Sequence, residues 1–357
     1  MLKETRILIS NIGLPSKIIG SWSTRLSKFI TNNPDFFDYI LSPEKEGKNN
    51  IFCQKKNFIT WSKKVRNLNL KHWVAKDYLN EISNLSKKAK KITIVVLDDA
   101  HLLEAIALEK NKFKCEIKLI FSFHGFSLNL NELILNKIDK VLFLTNLSYE
   151  DALKKNETFT PEVEVIGNGV DSSIFYPLQR VNKIEQKNKM EFNFNDQIIC
   201  WMSNSRRKKG LHIFIKIIDE INKLNVPVKF IIIGSNIEIN KKNVSNIGRI
   251  SNHEMAKYLQ ISDYYFFTSL CKEGFGLSLL ESIKCGVKVI TSNNGGIPEV
   301  IQGLDNITVV KKPNIISEWV EAFVKSYHQK STILSKEDAS KIWSYKDWEE
   351  KFKKSIL

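Results

Sequence analysis

Cys271-Lys272-Glu273-Gly274-Phe275-Gly276-Leu277-Ser278-Leu279-Leu280-Glu281-Ser282 is the stretch on which the fold turns. Before it stands Tyr264–Phe267, an unbroken apolar run that suits a buried parallel strand. After it, from Leu277, a helix opens, so the whole reads as strand, loop and helix start. Gly274 and Gly276 permit backbone conformations and a close approach that a side chain blocks. The free N–H groups around Phe275, Leu277 and Ser278 then form an anion site suited to a diphosphate. Glu281, one turn inside the helix and facing back along it, offers two acceptor oxygens to a vicinal diol such as a ribose. Glu273 on the loop meets a sugar hydroxyl or a developing positive charge. Spacing by itself equally suits a solvated loop glutamate, a helix-surface glutamate and two glycines that end a strand.

The same alternation runs outward in both directions. Short Ile- and Val-rich runs at Gln197–Met202, Val228–Ile233, Tyr264–Phe267, Val287–Thr291 and Ile307–Val310 are separated by helical patterns at Leu211–Leu224, Glu254–Ile261, Leu277–Lys284 and Ile315–Tyr327. A first series, Arg6–Asn11, Ile92–Leu97, Lys118–Phe123 and Lys140–Leu144, precedes it. Strands alternating with helices predict parallel sheets, and 357 residues are long for one core. The fold class is therefore α/β, with two Rossmann-like domains. Arg180–Met190 is polar, lysine-rich and without apolar periodicity, and reads as a linker. The boundary falls near Pro177, giving domains 1–176 and 177–339, with a C-terminal helix of about residues 340–357, around Ile342–Trp348, crossing back to the first. Ligands of open parallel sheets sit beyond the carboxyl ends of the strands, so two such domains are expected to face each other across a cleft.

The chain is 43% hydrophobic and 26% charged, with no apolar stretch long enough to span a bilayer. Its N-terminus moves straight from charged residues into a strand-like run, with no signal-peptide core, which predicts a cytoplasmic protein. Five cysteines, widely spaced and without a C-x-x-C pair, read as reduced thiols and not as a zinc site. The net charge of +15 points to polyanions without choosing among nucleic acid, anionic lipid and phosphate-bearing substrates. No nucleic-acid motif is present, and aromatic residues do not interleave the basic run at Arg206.

The opening stretch and three further segments carry a resemblance. Glu273 and Glu281 are separated by seven residues. Ile290-Thr291-Ser292-Asn293-Asn294-Gly295-Gly296-Ile297-Pro298-Glu299-Val300 holds a Gly-Gly-apolar-Pro-Glu loop. Val165-Ile166-Gly167-Asn168-Gly169-Val170-Asp171 is followed by Phe175 and Pro177, and Lys209-Gly210 follows the first strand of the second series. Together they resemble glycosyltransferase family four. That resemblance implies the GT-B architecture and a retaining enzyme that moves a hexose from a nucleotide-sugar, a UDP-sugar being the expected donor, to a hydroxyl of a glycan or lipid-linked acceptor in surface polysaccharide synthesis. It implies a nucleotide-sugar co-substrate and no metal or other cofactor. It further implies that Glu281 serves the ribose, Glu273 the sugar, Lys209 the diphosphate, and the backbone at Arg249 and Ile250 the nucleobase. One departure stands out. The family commonly places an arginine five or six residues before the lysine, where this chain has Asn204 or Ser203, so Arg206 is the preferred substitute.

In the first domain, His124 in Ser122-Phe123-His124-Gly125 sits at a strand end and resembles the family's histidine, which implies a contact to donor sugar or phosphate. Asp98-Asp99 ends the strand before it; the pair is read as capping the helix His101–Leu108, with Asp98 touching the acceptor. Gly20, in Pro15-Ser16-Lys17-Ile18-Ile19-Gly20-Ser21-Trp22, stands where the family has a loop near the donor phosphate, or marks only a turn. Trp61–Trp73 places Trp61, Val65, Leu68 and His72 on one helical face with cations between them. A helix packed on its own core is preferred there over one lying on the inner face of an anionic membrane. The rival to the enzyme is a non-catalytic basic protein that binds phosphate or nucleic acid through the same loops.

Overall fold

The computed structural model describes residues 3–15, 21–56 and 71–357, arranged in two compact units: Met1–Gly167 with Glu349–Leu357, and Asn168–Trp348. In the first unit β1 (Lys3–Ile9), β2 (Tyr39–Ser42), β3 (Asn50–Phe52), β4 (Ala89–Leu97), β5 (Glu116–Ser122), β6 (Lys140–Phe143) and β7 (Glu162–Val165) form one sheet in the order β3-β2-β1-β4-β5-β6-β7. Every pairing in it is parallel. Ile7, Ile92, Ile94, Leu119 and Phe121 lie in the main core of this unit, while Leu8, Val95 and Ile120, on the opposite face, are buried as well. Burial on both faces is why these strands read as continuous apolar runs and do not alternate.

The second unit repeats the plan with β8 (Gln197–Met202), β9 (Val228–Ile233), β10 (Val244–Gly248), β11 (Tyr264–Phe267), β12 (Lys288–Ser292) and β13 (Ile307–Val310), ordered β10-β9-β8-β11-β12-β13 and parallel throughout. Helix Leu211–Asn222 buries Leu211, Phe214, Ile218 and Ile221, a single stripe, against a core that holds Trp201 and Trp319. In both sheets the strand order reverses beside the first strand, between β1 and β4 and between β8 and β11. That reversal leaves a crevice at the carboxyl ends of the two strands, where ligands of doubly wound sheets bind.

Two readings of the sequence need correction. Arg180–Lys189 is a helix and not a linker. It is anchored by charge: Lys187 Nζ donates to Asp263 Oδ2 at 3.0 Å and to the Asp196 carbonyl at 2.8 Å, and Lys183 Nζ reaches Asp263 Oδ1 at 2.8 Å. An apolar period is absent because the helix docks through two lysines on one half-buried aspartate. Replacing Asp263 with Ala strands both cations, with an expected loss of about 3–5 kcal/mol in chemical denaturation. The units also divide after Gly167, ahead of Pro177. Val170 N–H donates to the Trp343 carbonyl at 3.0 Å, and the Tyr176 carbonyl accepts from Gln260 at 3.2 Å, so residues 168–177 pack with the second unit. Composition changes where the polar helix begins, but packing changes earlier. The last helix, Tyr345–Ile356, belongs to the first unit from Glu349 on, where Phe352 meets the edge of Phe29 and Glu349 accepts from Asn33.

Candidate functional site

The β8–β11 crevice of the second unit gathers a network of polar contacts. After β8 the chain makes a single turn of 3-10 helix, Arg207–Lys209, and passes through Gly210 at φ +79° into helix Leu211–Asn222. A Cβ at Gly210 would overlap the Thr268 carbonyl oxygen, so this crossing of two strand ends requires glycine. The turn delivers Lys209 Nζ to both carboxylate oxygens of Glu273, at 2.7 and 2.8 Å. Ser269 Oγ donates to Glu273 Oε1 as well, and Cys271 Sγ lies 3.5 Å from the same oxygen. Glu273 is thus held rigidly, with its backbone paired to Gly295: the Gly296 N–H donates to the Glu273 carbonyl at 2.8 Å, and Gly295, at φ +73°, leaves no space for a side chain against Glu273.

Gly276, at φ +82°, turns the chain into helix Leu277–Lys284, and no side chain caps that helix. The first-turn N–H groups of Leu277 and Ser278 remain available to an anion. Ser278 Oγ is fixed by the hydroxyl of buried Tyr265 at 2.9 Å. Gly274 is buried, and the Phe275 ring is buried edge-on against Trp343 at 4.9 Å, so Phe275 can offer a ligand only its backbone. Glu281 is 6% exposed, and among the described residues its carboxyl has no hydrogen-bond partner. Burial raises its pKa to about 8. A buried acid without protein partners is a costly arrangement unless something else supplies the hydrogen bonds.

The remaining predicted residues of this unit are less fixed. Arg206 and Arg207 are exposed, and their guanidinium groups make no hydrogen bond among the described residues. Arg249 is exposed and Ile250 half-buried at the end of β10, where Gly248 accepts from the Gly234 N–H at 2.6 Å and Ser251 with Glu254 forms a capping box.

In the first unit the β1–β4 crevice gathers a second polar group. Asp99 caps helix Ala100–Glu109 through the His101 and Leu102 N–H groups, and also accepts from Asn11 and Lys55, each at 2.6 Å. Asp98 stands at φ +46°, rare for a non-glycine residue, and accepts the His124 N–H at 2.9 Å. Desolvation raises the Asp98 pKa to about 6, Asp99 adds to this, and the His124 and Gly125 N–H groups oppose it. With that pKa Asp98 is mostly an anion at neutral pH. His124 is held neutral by burial and by the nearby Arg25 charge. Its Nε2 lies 3.1 Å from Ser122 Oγ, its ring meets Trp22 edge-on at 5.2 Å, and among the described residues Nδ1 has no partner. Gly20 and Trp61–Leu70 lie outside the described residues.

Sequence reasoning missed Ser269, Thr268, Trp201 and Tyr265. The first two are loop hydroxyls of ordinary type, and the aromatic pair reads as core; only their partners, 63 to 67 positions away for Tyr265 and Trp201, reveal a role.

Residues 182–337, most of the second unit, match the family described as glycosyl transferases group 1. A phosphatidylinositol N-acetylglucosaminyltransferase subunit of Saccharomyces cerevisiae is 26% identical over 224 residues, 57% of this chain and 48% of that protein, so the match spans about half the relative's length. N-acetyl-alpha-D-glucosaminyl L-malate synthase of Bacillus anthracis is 26% identical over 253 residues, 62% of this chain and 63% of that one. Among solved structures, sucrose-phosphate synthase from Thermosynechococcus elongatus superposes with a TM-score of 0.76 at 13% identity, covering 99% of this chain and 98% of that one. The Anabaena protein HepE in complex with UDP gives 0.69 at 14%, covering 99% of each. Such distant structures show the fold, two doubly wound α/β units of the GT-B kind. The match to the glycosyl transferases group 1 family falls on the unit that carries Lys209, Glu273 and Glu281.

Proposed function

We propose that this chain is a retaining glycosyltransferase that moves a hexose from a UDP-sugar to a hydroxyl of a glycan or lipid-linked acceptor in the making of surface polysaccharide. The observation that carries the reading is Glu281: a buried carboxyl without a protein partner among the described residues, one turn inside an uncapped helix N-terminus, on the helix that follows the loop of the Lys209–Glu273 pair. A nucleoside diphosphate sugar supplies what each group lacks. Its ribose diol donates to Glu281, its diphosphate takes the Gly274–Ser278 amides and the charge of Lys209, and its sugar hydroxyls meet Glu273. As the bond from the anomeric carbon to phosphate breaks, negative charge grows on the diphosphate, and Lys209, Arg206 and the helix amides stabilise it. Glu273 orients the sugar, neutral His124 hydrogen-bonds donor sugar or phosphate, and Asp98 receives the acceptor. No carboxylate is assigned as a covalent nucleophile; attack on the face the diphosphate leaves fits the reading. The reaction uses no metal. Arg249 and Ile250 hold the base by backbone.

HepE's complex with UDP and the phosphatidylinositol in the yeast relative's name support this choice of donor and acceptor. No helix among the described residues is long and apolar enough to cross a membrane, and the proposed contact with the inner membrane face is peripheral. The test is a thermal-shift and slow-hydrolysis screen against UDP-, GDP- and ADP-sugars. A donor at 100 times its Kd raises stability by about 2.7 kcal/mol, which the melting temperature reports, and its nucleoside diphosphate is released. Silence toward every donor would sink the proposal. The charge of +15 favours a second reading, a phosphate or nucleic-acid binder without turnover. That reading requires polynucleotide binding that falls steeply with salt and no hydrolysis of any nucleotide sugar.

A further inference from the structure

The lysine that faces Glu273 is carried on a turn whose own placement depends on a residue outside the proposed ligand contacts. Thr268, at the end of β11, is 1% exposed. Its Oγ1 accepts the indole N–H of Trp201 at 2.9 Å and faces the carbonyls of Gly210 at 3.0 Å and Lys209 at 3.2 Å, to which it gives its single proton. Trp201 is itself fixed: it is 1% exposed in the core of the unit and stacks on Phe214 at 6.3 Å. On the far side of the turn, the Leu270 N–H donates to the Lys208 carbonyl at 2.8 Å. Gly210 presses so closely on the Thr268 carbonyl that no side chain fits between them. Residues 208–210 are therefore clamped to the end of β11 at three points, and only one of these is a side chain.

We propose that Thr268 is a positioning residue of the donor site: its hydroxyl, oriented by the Trp201 indole, sets the Lys209 turn so that the ammonium sits where the diphosphate and Glu273 need it. A lysine has four rotatable bonds, and the precision of its charge depends on where its backbone is held. The hydroxyl is the part of the clamp that chemistry can remove without changing shape. This rests on the reading of Lys209 as a diphosphate contact.

Thr268→Val keeps the volume and removes the proton and the acceptor together. In calorimetric titrations, its affinity for UDP or GDP, whichever binds the parent protein, is expected to fall about tenfold, while that for the matching nucleoside, uridine or guanosine, stays unchanged. Thr268→Ser is expected to bind both as the parent does. The split between nucleotide and nucleoside separates positioning of the phosphate contact from a general loosening of the fold, which would weaken both. The double variant Trp201→Phe/Thr268→Val leaves no indole N–H unpaired. It supplies the same comparison if the single variant does not fold, and the same selective loss is expected. Lys209→Ala is titrated alongside. If Lys209→Ala loses diphosphate affinity and the Thr268 variants do not, the Thr268 role is overturned and the site stands. If Lys209→Ala also binds like the parent, the reading on which the proposal rests falls with it.

Discussion

Lys209→Ala is expected to lower kcat for sugar transfer by about 10²–10³, the scale seen when one preorganised group is removed from a site of developing charge. Two effects act together. The departing diphosphate loses the one cation that the structure fixes, since Arg206 and Arg207 are exposed and unanchored among the described residues. Glu273 loses its bidentate partner at 2.7 and 2.8 Å and keeps only Ser269 and the Cys271 thiol. Glu273→Ala is expected to reach a similar loss through the sugar, leaving the nucleoside diphosphate affinity nearly intact. Because the two side chains form one unit, the double variant should cost little more than either single one. Steady-state kinetics of the three variants checks this, and a Glu273→Ala enzyme with unchanged turnover would remove Glu273 from the chemistry.

Glu281 gives the second large effect, visible as pH dependence. Burial raises its pKa from an ordinary carboxylate value to about 8, so the folded protein holds a proton that the unfolded chain releases near pH 4.5. Its stabilising contribution is complete below that value and is lost as pH rises from about 4.5 through 8. Glu281→Gln, permanently neutral, should flatten that decline, with a gain over the parent that approaches an upper bound of about 5 kcal/mol above pH 8. Nucleotide binding runs the other way. A ribose diol donates two hydrogen bonds best to the ionised carboxylate, so binding expels the proton and affinity for the nucleotide should rise between pH 6 and 8. Glu281→Gln should show weaker binding that does not vary over this range. Chemical denaturation and titration calorimetry across pH measure both halves, and a pH-independent parent would contradict the buried, unpartnered state of this acid.

The sequence by itself determined the fold class and most of the central strands. The expected limits of β8, β9, β11 and β13, and of helix Leu277–Lys284, coincide with those observed, because a strand covered on both faces by helices must be apolar along its length. It also determined that Lys209 and Glu273 sit at strand ends, since the glycines at 210, 274 and 276 mark where the chain must turn. What it left out lies at a sheet edge or depends on partners far along the chain. β3, β7 and β10 are edge strands with no fully buried residue, so they lack the continuous apolar run that marks a central strand. Helix Arg180–Lys189 is held by Asp263, about 80 positions on, and its pattern shows only charge. Lys284 looks like the basic end of a helix, yet it is fully buried and donates to the carbonyls of Ala339 and Ile342. Only the tertiary structure decided that Glu281 is buried without a partner, that Phe275 turns its ring into the core, and that Thr268 clamps the Lys209 turn. Each is a statement about which polar group meets which across tens of residues, and local sequence constrains composition and period but not those meetings.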